Sequence, residues 1–323
     1  MSSEPRLELR SLSAAWDRTE VVHQVSLSVA PGEFVVLMGP NGGGKTTLLR
    51  TIAGFERASA GEVRLDGRTV TDLPAHRRGI GILFQEPALF PRRSVWSNVA
   101  YGLEVARRPS RFVANRVAAM SALLHLDDLL ERPADSLSGG ERQRVALART
   151  LAPGPRVVLL DEPFAAVDPE LRSGFRAEFR RALQELGVSA IHVTHDRDEG
   201  LFLGDRVLLL LGGRLVQSGP PQEVYRNPSS VDAARFLGYN LLRERGRTLA
   251  IDPREVEVGP PGDGVRAEVD RIGPSTDGVT VLMRLPDGHR IEARLASTSA
   301  LPGSTVGVRW RRSVDVDEPT APP

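Results

Sequence analysis

The sequence predicts an α/β domain followed by a small all-β domain, and three observations carry this reading. From Leu7 to about Leu215, short aliphatic and β-branched runs alternate with alanine- and arginine-rich stretches of helical length, the rhythm of strands and helices layered about one core. After Tyr239 the pattern changes to period two, in "VRAEVDRI", "VTVLMRL", "RIEARL" and "TVGVRW", as half-buried strands require. Turn chemistry at Gly259 to Gly264 and at Pro286-Asp287-Gly288 separates those runs.

Five apolar runs are expected to be the buried strands of the first domain: Phe34 to Met38, Gly81 to Phe84, Val157 to Leu160, Ala190 to Val193 and Arg206 to Leu210. Each is followed by turn residues or a polar motif, and ligands of open α/β sheets sit at such strand C-termini. Between Arg107 and Leu130 the period is helical with no strand, so a helical subdomain is expected over about residues 86–150. The first domain is expected to span 1–238 and the β domain 239–313. Residues 314–323, "VDVDEPTAPP", are acidic and proline-rich and read as a flexible tail.

Composition narrows the chemistry. The 42 basic and 41 acidic side chains leave a net charge of +1, so no global field draws the chain to nucleic acid. There is no cysteine, which removes disulfides, thiolate metal sites and thiol nucleophiles. The first residues, "MSSEPRLELR", lack the apolar segment of a signal peptide, and Val207 to Leu211 is far short of the ~18 to 20 residues that cross a bilayer. The chain is therefore expected to be cytoplasmic and not itself membrane-spanning.

"LMGPNGGGKTT", Leu37 to Thr47, holds the only lysine, Lys45, among those 42 basic residues. Gly39, Pro40, Asn41, Gly42, Gly43, Gly44, Lys45 and Thr46 fit G-x-x-x-x-G-K-[ST], with a buried strand before and the helical pattern of "TTLLRTIAG" after. The glycines let backbone N–H groups wrap a polyphosphate at a helix N-terminus. Lys45 would reach the β- and γ-phosphates while the Thr46 hydroxyl holds Mg²⁺. An ammonium on a slim stem fits such a loop, where a wide guanidinium fork does not. The plainer reading, a glycine-rich turn before a helix, leaves the single lysine to chance.

Asp161 and Glu162 close the run "VVLL". An Asp at the end of a buried strand can hold Mg²⁺, and the next carboxylate can orient and deprotonate an attacking water. Many strands end in acidic residues, so this pair gains weight only from the phosphate loop before it. Leu137 to Arg144, "LSGGERQR", is the most distinctive stretch: Ser138, Gly139 and Gly140 lead into a helix whose N-terminus offers a second anion-binding nest. One loop already serves one nucleotide, so the second nest needs a second phosphate group or a second molecule.

In this order, "GPNGGGKTT", Gln85 in "LFQEPALFP", "LSGGERQRVALART", "VVLLDEP", Asp168 in "AAVDP" and His195 in "VTHD" resemble the ATP-binding subunit of an ABC transporter. The resemblance covers about residues 7–238, and it is closest in kind to importer ATPases for sulfate, molybdate, iron(III), polyamines or sugars, which end in a small OB-like accessory β domain. It implies a P-loop NTPase core that binds ATP with Mg²⁺ and hydrolyses ATP to ADP and phosphate. It implies a homodimer packed head to tail, with Ser138, Gly139 and Gly140 of one copy capping the γ-phosphate held by Lys45 of the other. Glu162 would be the general base and His195 would hold the γ-phosphate. Gln85 would contact Mg²⁺ and the attacking water, Thr46 and Asp161 would hold Mg²⁺, and Thr47 would continue the loop. Asp168 would link the copies and Trp16 would stack on adenine. Integral membrane permease subunits, and an external solute-binding protein, would be the partners, which places the chain at the cytoplasmic face of the membrane.

The chain departs from the family pattern at Glu141, where Gln is commoner, at Ala165 and Val167, and at Arg92-Arg93, near the expected contact with the membrane partner. His23, His76, His125, His192 and His289 show no metal-ligand spacing and read as surface or satisfied core residues. The alternative is a soluble ABC ATPase acting on nucleic acid or ribosomes. Such proteins separate loop and signature by long coiled coils or carry two cassettes in one chain, and this sequence does neither. For the β domain two readings stay open, a dimer-stabilising spacer and a sensor of the solute.

Overall fold

The computed structural model describes residues 4–165, 167–168, 172–244, 246–275 and 278–317. The chain divides into two compact units, Met1–Pro221 and Gln222–Pro323. The first runs β1 (Leu7–Trp16), β2 (Thr19–Val29), β3 (Phe34–Met38), α1 (Lys45–Ala53), β4 (Ala58–Leu65), β5 (Arg68–Thr69), α2 (Ala75–Arg78) and β6 (Ile80–Leu83). It continues through α3 (Val95–Val105), α4 (Ser110–Leu124), α5 (Gly139–Leu151), β7 (Val157–Asp161), α6 (Arg172–Glu185), β8 (Ser189–Thr194), α7 (Arg197–Leu203), β9 (Arg206–Leu211) and β10 (Arg214–Gly219).

Two sheets form this unit. An antiparallel one has the order β2-β1-β4-β5, and a six-stranded one has the order β10-β9-β3-β8-β7-β6. Every pairing from β9 to β6 is parallel, and only β10 is antiparallel. Every residue of β3, β7 and β8 is buried, and β3 and the first four residues of β7 read as unbroken apolar runs because a parallel sheet is covered on both faces. Leu48, Leu49 and Ile52 of α1 join Leu7, Leu9 and Leu12 of β1 and the central strands in one core, each such side chain contributing about 1.5 to 3 kcal/mol on burial.

The strand register places the chemistry. Met38 pairs with Thr194, and Asp161 pairs with Val193. The glycine loop after β3, the carboxylates ending β7 and the His195 loop after β8 therefore leave the sheet at one edge. Between β6 and β7 the described residues carry α3, α4 and α5. The buried Asn98 fixes the approach to them, donating to the carbonyls of Phe90, Arg93 and Ser94 and accepting from the Phe90 N–H.

The second run is α8 (Pro221–Arg226), α9 (Val231–Leu237), β11 (Asn240–Glu244), β12 (Arg247–Ile251), β13 (Val256–Gly259), β14 (Val265–Ser275), β15 (Gly278–Arg284), β16 (Arg290–Leu295), β17 (Thr305–Trp310) and β18 (Val314–Val316). These strands form antiparallel sheets of order β11-β12-β18 and β13-β17-β14-β15-β16. Val281, Met283, Ile291 and Ala293 point into its core at period two. The tail expected from residue 314 is shorter than the sequence suggested. Val314 to Val316 pair with β12, because Val-Asp-Val is itself an alternating strand whose valines pack with Ala250 and Val231. Residues 318–323 lie outside the described residues. Among the described residues no helix is long and apolar enough to cross a membrane.

Candidate nucleotide and hydrolysis site

The loop after β3 has an anion-binding shape. Gly42 and Gly44 have φ of 75° and 88°, values that an L side chain rarely adopts. A Cβ at Gly44 would also run into the Val21 carbonyl. Gly44 is the N-cap of α1 and supplies no side-chain cap, and no acidic residue lies in the first turn. The first N–H groups of α1 are therefore left for an outside acceptor.

Lys45 is 6% exposed. Its Nζ donates to the carbonyls of Gly39 and Pro40, both at 2.8 Å. Burial lowers its pKa, and the charges of Glu162 and Asp161 oppose that shift. The ammonium sits inside the curl of the loop as a compact point charge, where a guanidinium would bring a wider planar fork. Thr46 Oγ1 donates to Asp161 Oδ1 at 3.3 Å. Burial raises the Asp161 pKa, the Thr46 hydrogen bond opposing it. A hydroxyl and a carboxylate oxygen this close are hard donors that fit Mg²⁺, a cation that takes one or two protein oxygens beside phosphate and water.

A cavity of about 560 Å³ gathers Trp16, Val21, Asn41, Gly42, Gly43, Gly44, Lys45, Thr46, Thr47, Arg50, Gln85 and Glu162. Trp16 ends β1 and is 48% exposed, with the Arg50 guanidinium 5.2 Å from its ring centroid. Gln85 and Glu162 also line a second cavity of about 240 Å³ together with His195, Asp196 and Glu199.

Glu162 has φ of 46°, a left-handed conformation that costs a non-glycine residue roughly 1 to 2 kcal/mol. Its N–H donates to the Val193 carbonyl at 3.1 Å, which fixes the turn out of β7. Its Oε1 lies 3.0 Å from His195 Nδ1. A carboxylate that lines the cavity of the phosphate loop and touches an imidazole can order a water and receive its proton.

Ser138, Gly139, Gly140 and Asp168 do not line the nucleotide cavity. Ser138 caps α5: its hydroxyl accepts from the Glu141 N–H at 3.3 Å, and Glu141 Oε2 accepts from the Ser138 N–H at 2.7 Å. Asp168 is exposed. Arg93 stacks over Phe90 and Tyr101, at 5.0 and 5.5 Å. Sequence reasoning missed Gln143, a fully buried residue whose Nε2 donates to the Gln85 carbonyl at 3.1 Å and so ties α5 to the Gln85 segment. An amide on the apolar face of a helix was the available signal.

A family model described as ABC transporter matches residues 22–165. The spermidine/putrescine import ATP-binding protein of Mannheimia succiniciproducens is 40% identical over 287 residues, 89% of this chain and 77% of that protein. The chain belongs to the ABC transporter ATP-binding family. The protein of the same description from Oleidesulfovibrio alaskensis is 38% identical over 313 residues, 93% of this chain and 83% of its own. The structure of CbiO1 from Clostridium perfringens, part of the ABC transporter complex CbiONQ, matches with a TM-score of 0.64 at 28% identity, over 72% of this chain and 94% of that one. This ABC subunit is an importer-type ATPase with an α/β nucleotide-binding core. Nucleotide binding follows from membership of that family.

Proposed function

We propose that two copies of this ATPase pack head to tail around two ATP molecules, and that closing and reopening this dimer drives solute uptake through a membrane permease. Trp16 stacks on adenine, and the N–H groups of Gly39 to Thr47 and the Lys45 ammonium hold the phosphates. Thr46 and Asp161 would hold Mg²⁺, assisted by Gln85, and the ion would supply charge neutralisation at the phosphates. Ser138, Gly139 and Gly140 of the second copy complete the γ-phosphate shell, and Asp168 links the copies.

Glu162 takes the proton of the attacking water, and His195 orients that carboxylate while contacting the γ-phosphate. Gln85, tied to α5 by Gln143, lets the permease docked beside it sense the nucleotide. Docking to the permease places the subunit at the cytoplasmic face of the membrane, with an external binding protein delivering the solute. The described relatives import spermidine and putrescine, and we extend the polyamine class to this transporter. Uptake of labelled putrescine in cells that gain or lose the system tests the solute alone.

The observation that carries the mechanism is the 3.0 Å contact of Glu162 with His195, at the edge of the cavity that holds the phosphate loop. Glu162→Gln keeps the shape and loses the base. It is expected to bind ATP and dimerise while turnover falls at least about a hundredfold. Near-normal hydrolysis in that variant would overturn the assignment.

A further inference from the structure

Beneath the His195 loop lies an ion-paired cluster, buried at His192 and Glu199 and half-buried at Arg176 and Asp196, that the mechanism above leaves unused. Arg176 on α6 donates from Nη2 to Asp196 Oδ2 and to Glu199 Oε1, both at 2.8 Å. His192 on β8 reaches the other Glu199 oxygen, with Nε2 2.8 Å from Oε2. An ionised carboxylate only accepts, so Nε2 carries the hydrogen. The Glu199 side chain is 7% exposed and His192 is fully buried. Burial alone pushes the Glu199 carboxyl up, but the His192 hydrogen bond and charge, the Thr194 hydrogen bond and the Arg176 charge carry it down to about 2.

Such a cluster is a poor device for stability, since well-packed apolar groups of the same volume do as well. What it does supply is direction. Asp196 follows His195, and its N–H donates to Thr194 Oγ1 at 3.0 Å, so the residues on both sides of His195 are tied down. On the other flank Phe164, two residues past Glu162, lies 5.3 Å from the His192 ring and packs edge-on to Phe175 and Phe179 of α6. One cluster thus braces the backbone beyond each member of the Glu162–His195 pair, and Glu199 and Asp196 line the same small cavity as that pair.

We propose that Arg176 and Glu199 are positioning residues for hydrolysis: acting through Asp196, they hold the His195 imidazole on the Glu162 carboxylate. The inference rests on the reading of Glu162 and His195 as the pair that handles the water. Glu162 lines the cavity of the phosphate loop and His195 meets it from the adjoining smaller cavity; Arg176 and Glu199 do not line the cavity of the phosphate loop, so their loss acts on turnover and not on ATP affinity.

The test is steady-state and single-turnover ATP hydrolysis by the full-length protein. Glu199→Gln is expected to lower kcat about tenfold and to leave the ATP KM within about twofold, the split a misplaced catalytic group gives. In the His195→Ala background the same substitution is expected to cost less than about twofold, because its target is gone. Arg176→Lys keeps the charge but not the fork, and is expected to show a smaller kcat loss with the same dependence on His195; it carries the test should Glu199→Gln fail to fold. An unchanged kcat, a KM that rises in step, or an equal loss with and without His195 overturns the proposal. Full turnover in Glu162→Gln or His195→Ala removes the underlying reading instead, whatever Glu199→Gln does.

Discussion

Two helices of the first unit carry glycine at their starts, Gly44 at the N-cap of α1 and Gly139 and Gly140 in the first turn of α5, and they are finished in opposite ways. α1 starts at Gly44 in a left-handed conformation, with no side-chain cap and no acidic residue in its first turn. α5 starts at Ser138 with both halves of a capping box in place and Glu141 in its first turn. The donors of α1 are left unsatisfied by the chain itself, while those of α5 are partly met by the chain's own carboxylate. The comparison bears on the proposed dimer: the α1 end leaves its donors open to phosphate, and in that proposal the α5 end would add a second contact.

The largest test of that contrast is Lys45→Arg. The ammonium is held by two carbonyls inside the loop, and the planar fork of arginine cannot enter without opening it. Turnover is expected to fall at least about a hundredfold, with the phosphate charge no longer matched at the loop. An ATPase assay beside ATP binding reads this directly; normal hydrolysis would mean that shape does not explain the single lysine. Gly44→Ala comes next, because φ of 88° and the nearby Val21 carbonyl both oppose a Cβ. A strain of roughly 1 to 2 kcal/mol at this position predicts ATP binding weaker by about tenfold, measured by calorimetry. Unchanged affinity would show that the loop is not preformed.

Ser138→Ala breaks the other helix start. Loss of an N-cap costs about 1 kcal/mol, which lowers the melting midpoint by about 2 to 4 °C in a domain of this size. ATP binding to the open monomer is expected to stay unchanged, while the ATP concentration needed for dimerisation rises. Equal weakening of both would erase the distinction between the first and the second contact.

How far the sequence reveals these features depends on how local they are. β3, the glycine loop and α1 are contiguous, so an apolar run, six turn residues and a helical period define them together. Asp161 and Glu162 are legible for the same reason, at the end of an unbroken apolar strand. The Glu162–His195 contact joins the residues that follow β7 and β8 and exists only through their register; the family resemblance supplied the two roles and not their contact. Gln143 under Gln85 and Glu199 under His192 depend likewise on packing between distant elements. The outer sheet stayed faint because β1 shifts register against both β2 and β4, and such bulges break the period-two pattern. β18 was hidden by its setting, two valines beside acidic residues and prolines.

The smallest effect separates charge from capping at α5. The Ser138 N–H holds the Glu141 carboxyl below its ordinary value; partial burial opposes this, and the Ser138 hydroxyl and the charges of Arg132 and Arg144 assist. A depressed folded pKa means that this contribution is complete above the unfolded value of 4.5 and is lost as pH falls through the lower, folded one. At neutral pH the box is therefore intact but carries a negative charge toward an expected γ-phosphate. Glu141→Gln keeps the acceptor oxygen and removes the charge. It is expected to lower the ATP concentration for half-dimerisation about two- to threefold at low salt, an effect that screening shrinks at high salt. Lowering the pH through the Glu141 transition should bring the unaltered protein toward the variant, because a protonated carboxyl is also neutral. If the two differ equally at every pH, the charge is not the cause and the contrast between the helix starts lies in geometry alone.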